Sequence, residues 1–208
     1  MNEVFELFPT PFMRCPAVID GESIRGLQAS LSAGVLQSNP QSNQLAHTQI
    51  IKPSDAPELA TLATRILPSV AELGQLMFGE ALDWRIKEMW INVLQHGGRQ
   101  AIHNHTNSFI SGVIYLTESH PSAYTVFAKG LGGRDFVFSN TNARSQGQLG
   151  PFNADKWIAP EPSVGDMILF PSYLLHEVPV NQGSVRVSLA FNAIPKRLDA
   201  WGYEISFD

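Results

Sequence analysis

Near residue 82 the hydrophobic period of this chain changes from that of a helix to that of a strand, so the fold must hold both kinds of element in sequence. Before that point, Asp20 is placed to cap a helix whose apolar positions Ile24, Leu27, Leu31 and Val35 recur at three- and four-residue spacing. A polar stretch over 37–44 follows, with Asn39-Pro40 as a turn signal. Asp55 and Glu58 have the capping-box spacing, and Pro57 falls in the first turn, where its missing N–H is harmless. Leu59, Leu62, Ile66, Val70 and Leu73 then form one helical stripe, which Pro68 is expected to kink or split.

Beyond that point Trp84 and Ile86, then Met89, Ile91 and Val93, lie two apart, as on strands. His96-Gly97-Gly98 signals a turn. Further strands are expected over 101–105, 109–116, 123–128, 167–170, 174–180 and 185–193, with a turn at Asn181-Gln182-Gly183. The stretch 129–160 has no clear period and reads as an inserted loop region. Short strands at this spacing favour an antiparallel barrel or double-sheet jelly roll over alternating β/α units. The expected fold is therefore mainly β with N-terminal helices, in a single domain over 1–208. Its helical part, 1–80, would pack on a jelly-roll core over 82–208 that carries the 129–160 insert.

Composition narrows the function. At 208 residues the chain can bury a real core as one domain. Asp and Glu number 19 against 14 Lys and Arg, a net charge of −5, and no basic run interrupts that balance, so no nucleic-acid partner is expected. The single cysteine, Cys15, cannot form an internal disulfide or a cysteine-based zinc site. Residues 1–12 carry Glu3 and Glu6 and no basic start, so no signal peptide is read. No apolar run approaches the ~18–20 residues that span a bilayer. A soluble, cytoplasmic protein with no membrane partner is expected, and an edge strand offers a route to a homodimer.

The chemistry lies in the histidines. His103-Asn104-His105 puts two imidazoles at i and i+2, on one face of a strand. His176 lies on a later apolar strand, and two ligands from one strand with a third from a distant one would assemble a facial metal triad in a jelly roll. Imidazole alone does not choose among iron, copper, nickel and zinc. Arg186 follows His176 by ten residues and shares a face with Ser188, opposite Val185, Val187, Leu189 and Phe191. A guanidinium there is costly to bury unless something anionic meets it; the bland alternative is an arginine at a barrel mouth paired with Glu177 or Asp166. If Asn181–Gly183 closes a three-residue hairpin, 176 pairs with 188 and 178 with 186, which sets Arg186 beside His176. Asn92 interrupts an apolar strand eleven residues before His103, and a buried amide needs partners.

With these residues in view, the chain resembles the non-haem iron, 2-oxoglutarate-dependent oxygenases of the double-stranded β-helix fold. It is similar over nearly its full length to a bacterial and phage branch of that superfamily. The marks are Leu7-Phe8-Pro9-Thr10-Pro11, Trp90-Ile91-Asn92, His103–His105, Ser111–Leu116, Gly165–Val178 and Arg186–Asn192. The resemblance implies Fe(II) on His103, His105 and His176, with 2-oxoglutarate as cosubstrate, its far carboxylate on Arg186 and Ser188, and O2 as co-reactant. The spacing Asn92…Gly97…His103 is also similar to alkylation-repair demethylases, whose asparagine touches 2-oxoglutarate; their tyrosine two positions on is Leu94 here, so repair chemistry is not implied. Tyr115 is a further candidate contact to the cosubstrate.

One departure matters. The superfamily's usual carboxylate ligand is His105 here. Three neutral ligands leave the ion its full double charge, which dianionic 2-oxoglutarate would neutralise. Glu88, Glu118, Asp166 and Glu177 are the carboxylates that could substitute, but three histidines are the preferred set. No group beyond the metal site is assigned to catalysis. Two rivals stay open: a three-histidine, cupin-like dioxygenase that binds substrate directly, and a non-catalytic metal-binding jelly roll. The substrate, a small molecule or a peptide, is not named by the sequence. Trp90, Phe127 and Trp157 are candidate pocket walls, 37–44 and 129–160 are candidate lids, and His47, His96 and His120 read as solvated.

Overall fold

In the computed structural model of the protein, residues 2–32, 36–39, 42, 44–130 and 150–207 are described. The chain begins with strand β1 (Met13–Cys15) and helix α1 (Gly21–Ser32), followed by the short strands β2 (Gln37–Ser38) and β3 (Leu45–His47). Helix α2 (Pro57–Phe78) leads into the long strand β4 (Trp84–Leu94), then β5 (Gln100–His103), β6 (Ile110–Tyr115) and β7 (Val126–Ala128). The remainder is β8 (Lys156–Ile158), β9 (Met167–Pro171), β10 (Leu175–Val178), β11 (Arg186–Pro195), and a closing hairpin of β12 (Arg197–Ala200) and β13 (Tyr203–Ser206). One sheet runs β1-β9-β6-β11-β4-β3-β2, a second runs β5-β10-β7-β8, and the pairings within both are antiparallel. This mainly β, two-sheet arrangement with two helices is the expected jelly roll, a double-stranded β-helix.

Both helices form where the apolar period places them. The Asp20 carboxylate accepts the Ser23 amide at 2.8 Å and caps α1, and Ile24 and Leu27 are buried. The stripe Leu59, Leu62, Ile66, Val70 and Leu73 is buried along α2 and packs on one face of the larger sheet, against Met89, Ile91, Ile114, Leu189 and Phe191. Two expectations differ. Asp55 does not box the helix start: it accepts the Lys52 amide at 2.8 Å within a short turn, and Ala56 occupies the N-cap. Pro68 does not split α2, which continues unbroken to Phe78. Its ring lies on the solvent side, while burial of the opposite face outweighs the roughly 3 kcal/mol that an interior proline costs.

The site depends on one irregularity in β4. Asn192 pairs with Glu88 but Ala193 pairs with Ile86, so Lys87 is an extra residue and a β-bulge. A single inserted residue reverses the parity of everything beyond it. Trp84 and Ile86 face the helices, and so do Met89 and Ile91; Glu88, Trp90, Asn92 and Leu94 therefore turn to the barrel interior. The odd step from Ile86 to Met89 in the sequence is this bulge.

Other corrections concern strand limits. The stretch 129–160 is not wholly loop, because Lys156–Ile158 pairs with β7. The strand expected over 101–105 stops at His103. Strands β1, β2, β3, β12 and β13 had no signal in the hydrophobic pattern, because each is four residues or fewer, too short to show a period. Val35, Pro40, the side chain of Leu31 and residues 131–149 of the insert lie outside the described residues, so the two candidate lids rest largely on positions not described. Among the described residues, no helix is long and apolar enough to cross a membrane.

Candidate metal centre

His103 ends β5 and stands directly opposite His176 of β10 in register. His105 follows in the loop, where its amide donates to the Ser172 carbonyl at 2.9 Å. The ring centroids lie 4.3 Å apart for His103 and His176, 5.0 Å for His103 and His105, and 5.4 Å for His105 and His176. One ligand atom from each falls within 4.8 Å of the others. His105 therefore joins the cluster through the anchored loop, not through the alternation of a strand.

The tautomers suit a cation. His103 Nδ1 donates to the Ala101 carbonyl at 2.8 Å and His176 Nδ1 to the Leu174 carbonyl at 2.9 Å. A carbonyl can only accept, so each Nδ1 carries the proton and each Nε2 keeps its lone pair. Burial holds all three imidazoles below their ordinary value, His105 to about 4 and His176 to about 3, with repulsion from His103 adding to both. All three are neutral at physiological pH, as metal ligands must be.

These rings open on a cavity of about 470 Å³ that includes Asn92, Arg186 and Ser188 in its wall. Arg186 is 4% exposed. Burial depresses its pKa, opposed by Tyr115, whose ring lies 5.1 Å from the guanidinium carbon. Its NH1 donates to Ser188 Oγ at 3.3 Å, while its Nε is buried with no partner. The carboxylates suggested as its neutralisers are engaged elsewhere: Glu177 with Lys156 and Asp166 with Arg14, both at 2.6 Å. A buried guanidinium with no carboxylate partner, in the wall of a cavity, has the chemistry to meet an external carboxylate or phosphate.

The expected hairpin pairing of the His176 and Arg186 strands does not form, although both residues line one cavity. His176 and Arg186 are not hairpin partners: β10 belongs to the smaller sheet, and β11 pairs with β4 and β6 in the larger one. Arg186 instead faces Leu94, and Ser188 lies between Asn92 and Tyr115. His176 and Arg186 line the same cavity from different sheets. Tyr115 is 1% exposed and supports Arg186 from behind, its hydroxyl 3.3 Å from Thr125 Oγ1, and it does not line the cavity. Of the candidate walls, Trp90 lines the cavity with its ring 5.5 Å from His105 and tilted by 53° to it, whereas Phe127 is core and Trp157 is half-exposed against Phe12. His47 is a correction too: it sits in β3 opposite Asn92 and lines the cavity. A three-residue strand after a polar stretch left no period to reveal it.

The substitute ligands fare differently. Asp166 is enclosed by Arg14 and the amides of Ala17 and Ser163, and Glu177 points away from His176. Glu88 lines the cavity but is not part of the histidine cluster. Three imidazoles with no fourth protein ligand among the described residues leave coordination positions open, and the charge of the buried arginine calls for an anion; the residues fit a divalent metal ion and a chelating dianion.

Comparisons with known proteins agree. A family model described as "Putative 2OG-Fe(II) oxygenase" matches residues 88–192, just over half of the chain. No protein of curated function matches. Among solved structures, HygX from Streptomyces hygroscopicus, with nickel and 2-oxoglutarate bound, superposes with a TM-score of 0.64 at 14% identity, over 89% of this chain and 83% of that one. A prolyl-4-hydroxylase from Pseudomonas putida gives 0.56 at 19% identity, over 88% and 92%. A 2OG-Fe(II) oxygenase family oxidoreductase from Burkholderia pseudomallei gives 0.58 at 16%, over 88% and 84%. At such identities these likenesses establish the fold.

Proposed function

This chain belongs to the 2OG-Fe(II) oxygenase family, and from that premise we propose that His103, His105 and His176 hold the Fe(II) and that Arg186, Ser188 and Asn92 hold 2-oxoglutarate. The family's cofactor is Fe(II), its cosubstrates are 2-oxoglutarate and O2, and its reaction is an oxidation, here of a substrate still to be identified. The carrying observation is the pairing of three ligand atoms within 4.8 Å with a buried, unneutralised Arg186 in the same cavity wall.

When bound, Fe(II) and 2-oxoglutarate supply O2 activation and the oxidising power for a C–H bond, with succinate and CO2 as co-products. The chain does the rest. The Ala101 and Leu174 carbonyls fix the His103 and His176 rings with Nε2 presented. Ser172 anchors the His105 loop through its backbone. Arg186 offers its remaining terminal nitrogen to the distal carboxylate, with NH1 steadied by Ser188 and the planar group backed by Tyr115. The Asn92 amide, opposite Ser188, is a second donor along the same wall. Three neutral imidazoles leave the double charge of the metal to be balanced by the dianionic cosubstrate, so 2-oxoglutarate is expected to bind far better with metal present than without it. A reducing, cytoplasmic setting fits the free Cys15 thiol, and the exposed edge strand β8 is the proposed contact for a homodimer.

The test is an anaerobic titration of Fe(II)-loaded protein with 2-oxoglutarate, monitored by the visible charge-transfer band of a chelated 2-oxo acid, with Arg186→Ala alongside. A saturating band that needs far more 2-oxoglutarate in the variant supports the assignment. Tight iron binding without a band would sink it and leave a dioxygenase that binds its substrate directly.

A further inference from the structure

Along β4 the residues facing the cavity are Glu88, Trp90, Asn92 and Leu94, and their partners on β11 are Asn192, Ala190, Ser188 and Arg186. Glu88 and Arg186 thus occupy opposite ends of one wall, six β4 positions apart in register, or about 20 Å at ~3.3 Å per residue. A five-carbon diacid held at Arg186 spans no more than about two extended residues. The Glu88 end is left for another molecule.

Its chemistry is selective. Among the described residues lining the cavity, Glu88 is the only carboxylate and Arg186 the only arginine or lysine. The Glu88 carboxylate is held in place: Oε1 accepts Asn192 Nδ2 at 2.8 Å, Asn192 Oδ1 accepts Ser111 Oγ at 2.7 Å, and Ser111 Oγ lies 2.9 Å from the buried Ser172 hydroxyl. The same Oε1 is 3.6 Å from Lys87 Nζ, a partly exposed pair of adjacent residues that contributes little once screened by solvent. Oε2 has no hydrogen-bond partner among the described residues. One pleat inward, the Trp90 indole lies against His105, tilted by 53° to its ring. A fixed carboxylate two residues from an aromatic face matches an organic cation, through a charge-assisted hydrogen bond and a cation–π contact. An anionic group there would be repelled, and a neutral one would leave the carboxylate poorly matched.

We infer that Glu88 and Trp90 form a subsite for a protonated amine or guanidinium, so that this oxygenase acts on a cationic substrate. The inference rests on the placement of 2-oxoglutarate at Arg186. The lysine side chain of a peptide and a free small amine share this chemistry.

Calorimetry on anaerobic, Fe(II)-loaded protein with 2-oxoglutarate tests it, using cadaverine, a capped lysine tripeptide and, as the neutral control, pentanediol, each against wild type and Glu88→Gln. Glutamine keeps an oxygen for Asn192 and removes only the charge. The expected result is that a cationic probe binds wild type and weakens about tenfold or more in the variant. Pentanediol should not distinguish the two proteins, and 2-oxoglutarate affinity should stay within about twofold. Which cationic probe binds separates a free amine from a peptide side chain. Equal binding of the cations to both proteins, or no binding to either, overturns the subsite. Binding of 2-oxoglutarate in the same cell separates the two failures: if it is lost, the proposed function falls; if it persists without cation preference, only this inference does.

Discussion

Replacing Arg186 with methionine should move stability and cosubstrate affinity in opposite directions. In the protein without ligand, the guanidinium is 4% exposed and its Nε is unmatched. It is offset by one long hydrogen bond to Ser188 at 3.3 Å, worth about 1 kcal/mol. The Tyr115 ring adds about 2 kcal/mol for a desolvated cation–π contact. Against these stands a desolvation penalty of several kcal/mol, and exchanging buried ionic groups for apolar ones of similar size is often stabilising by about 1–4 kcal/mol. We expect the metal-free Arg186→Met variant to gain about 1–2 kcal/mol, a rise in Tm of about 2–8 °C for a chain of this size. The same substitution removes the charged anchor for 2-oxoglutarate, a loss of about 2–5 kcal/mol, or roughly thirtyfold to several-thousandfold in affinity. Thermal melts with and without metal and 2-oxoglutarate read both effects at once. Wild type should gain about 2.7 kcal/mol at a cosubstrate concentration of one hundred times its Kd, and the variant no more than about 0.9 kcal/mol at that concentration. A variant that melts well below wild type yet keeps its response to 2-oxoglutarate would refute the reasoning and make Arg186 a structural residue.

His176→Ala should lower affinity for a divalent metal by more than about 100-fold, since it removes a ligand where loss of a mere supporting contact already costs 10–100-fold; metal content after anaerobic dialysis checks this. Gly112→Ala would push a methyl group into the Phe191 ring beneath β6 and should destabilise the fold by about 1–3 kcal/mol, read by urea denaturation. Asp166 governs the acid limb of stability. Burial pushes its carboxyl up, but the Ala17 and Ser163 amides and Arg14 together outweigh this and hold it below the usual carboxylate range. A depressed folded pKa gives stability that is complete above the unfolded value near ~4 and is lost as pH falls through the folded one. Melts from neutral pH to about pH 3 should therefore show a decline that Asp166→Asn flattens.

Much of the site was legible because alternation on a strand is a local property. Arg186 and Ser188 share a face opposite Leu189 and Phe191 wherever β11 lies, and the structure keeps that division. The stripe on α2 was equally local, and so was the odd step from Ile86 to Met89, although its meaning as a bulge needed the partner strand. His47 and Asn192 were missed because a three-residue strand has no period and a polar residue late in an apolar strand announces no role.

The sequence by itself determined the two periods, the charge balance, the faces of the long strands and the supply of imidazoles with an arginine on an apolar strand. Those follow from steric and solvation preferences that act between residues close in the chain. Only the tertiary structure decided which sheet each strand joined. Hairpin arithmetic would have set His176 beside Ser188, whereas β10 and β11 part into different sheets and bring His176 and Arg186 together across a shared interior. Sheet membership depends on which pairings bury the most apolar surface over the whole chain, a sum that no local window contains. The same global packing carried the Lys87 bulge inward, turning Glu88, Trp90 and Asn92 from the helix-facing core to the cavity.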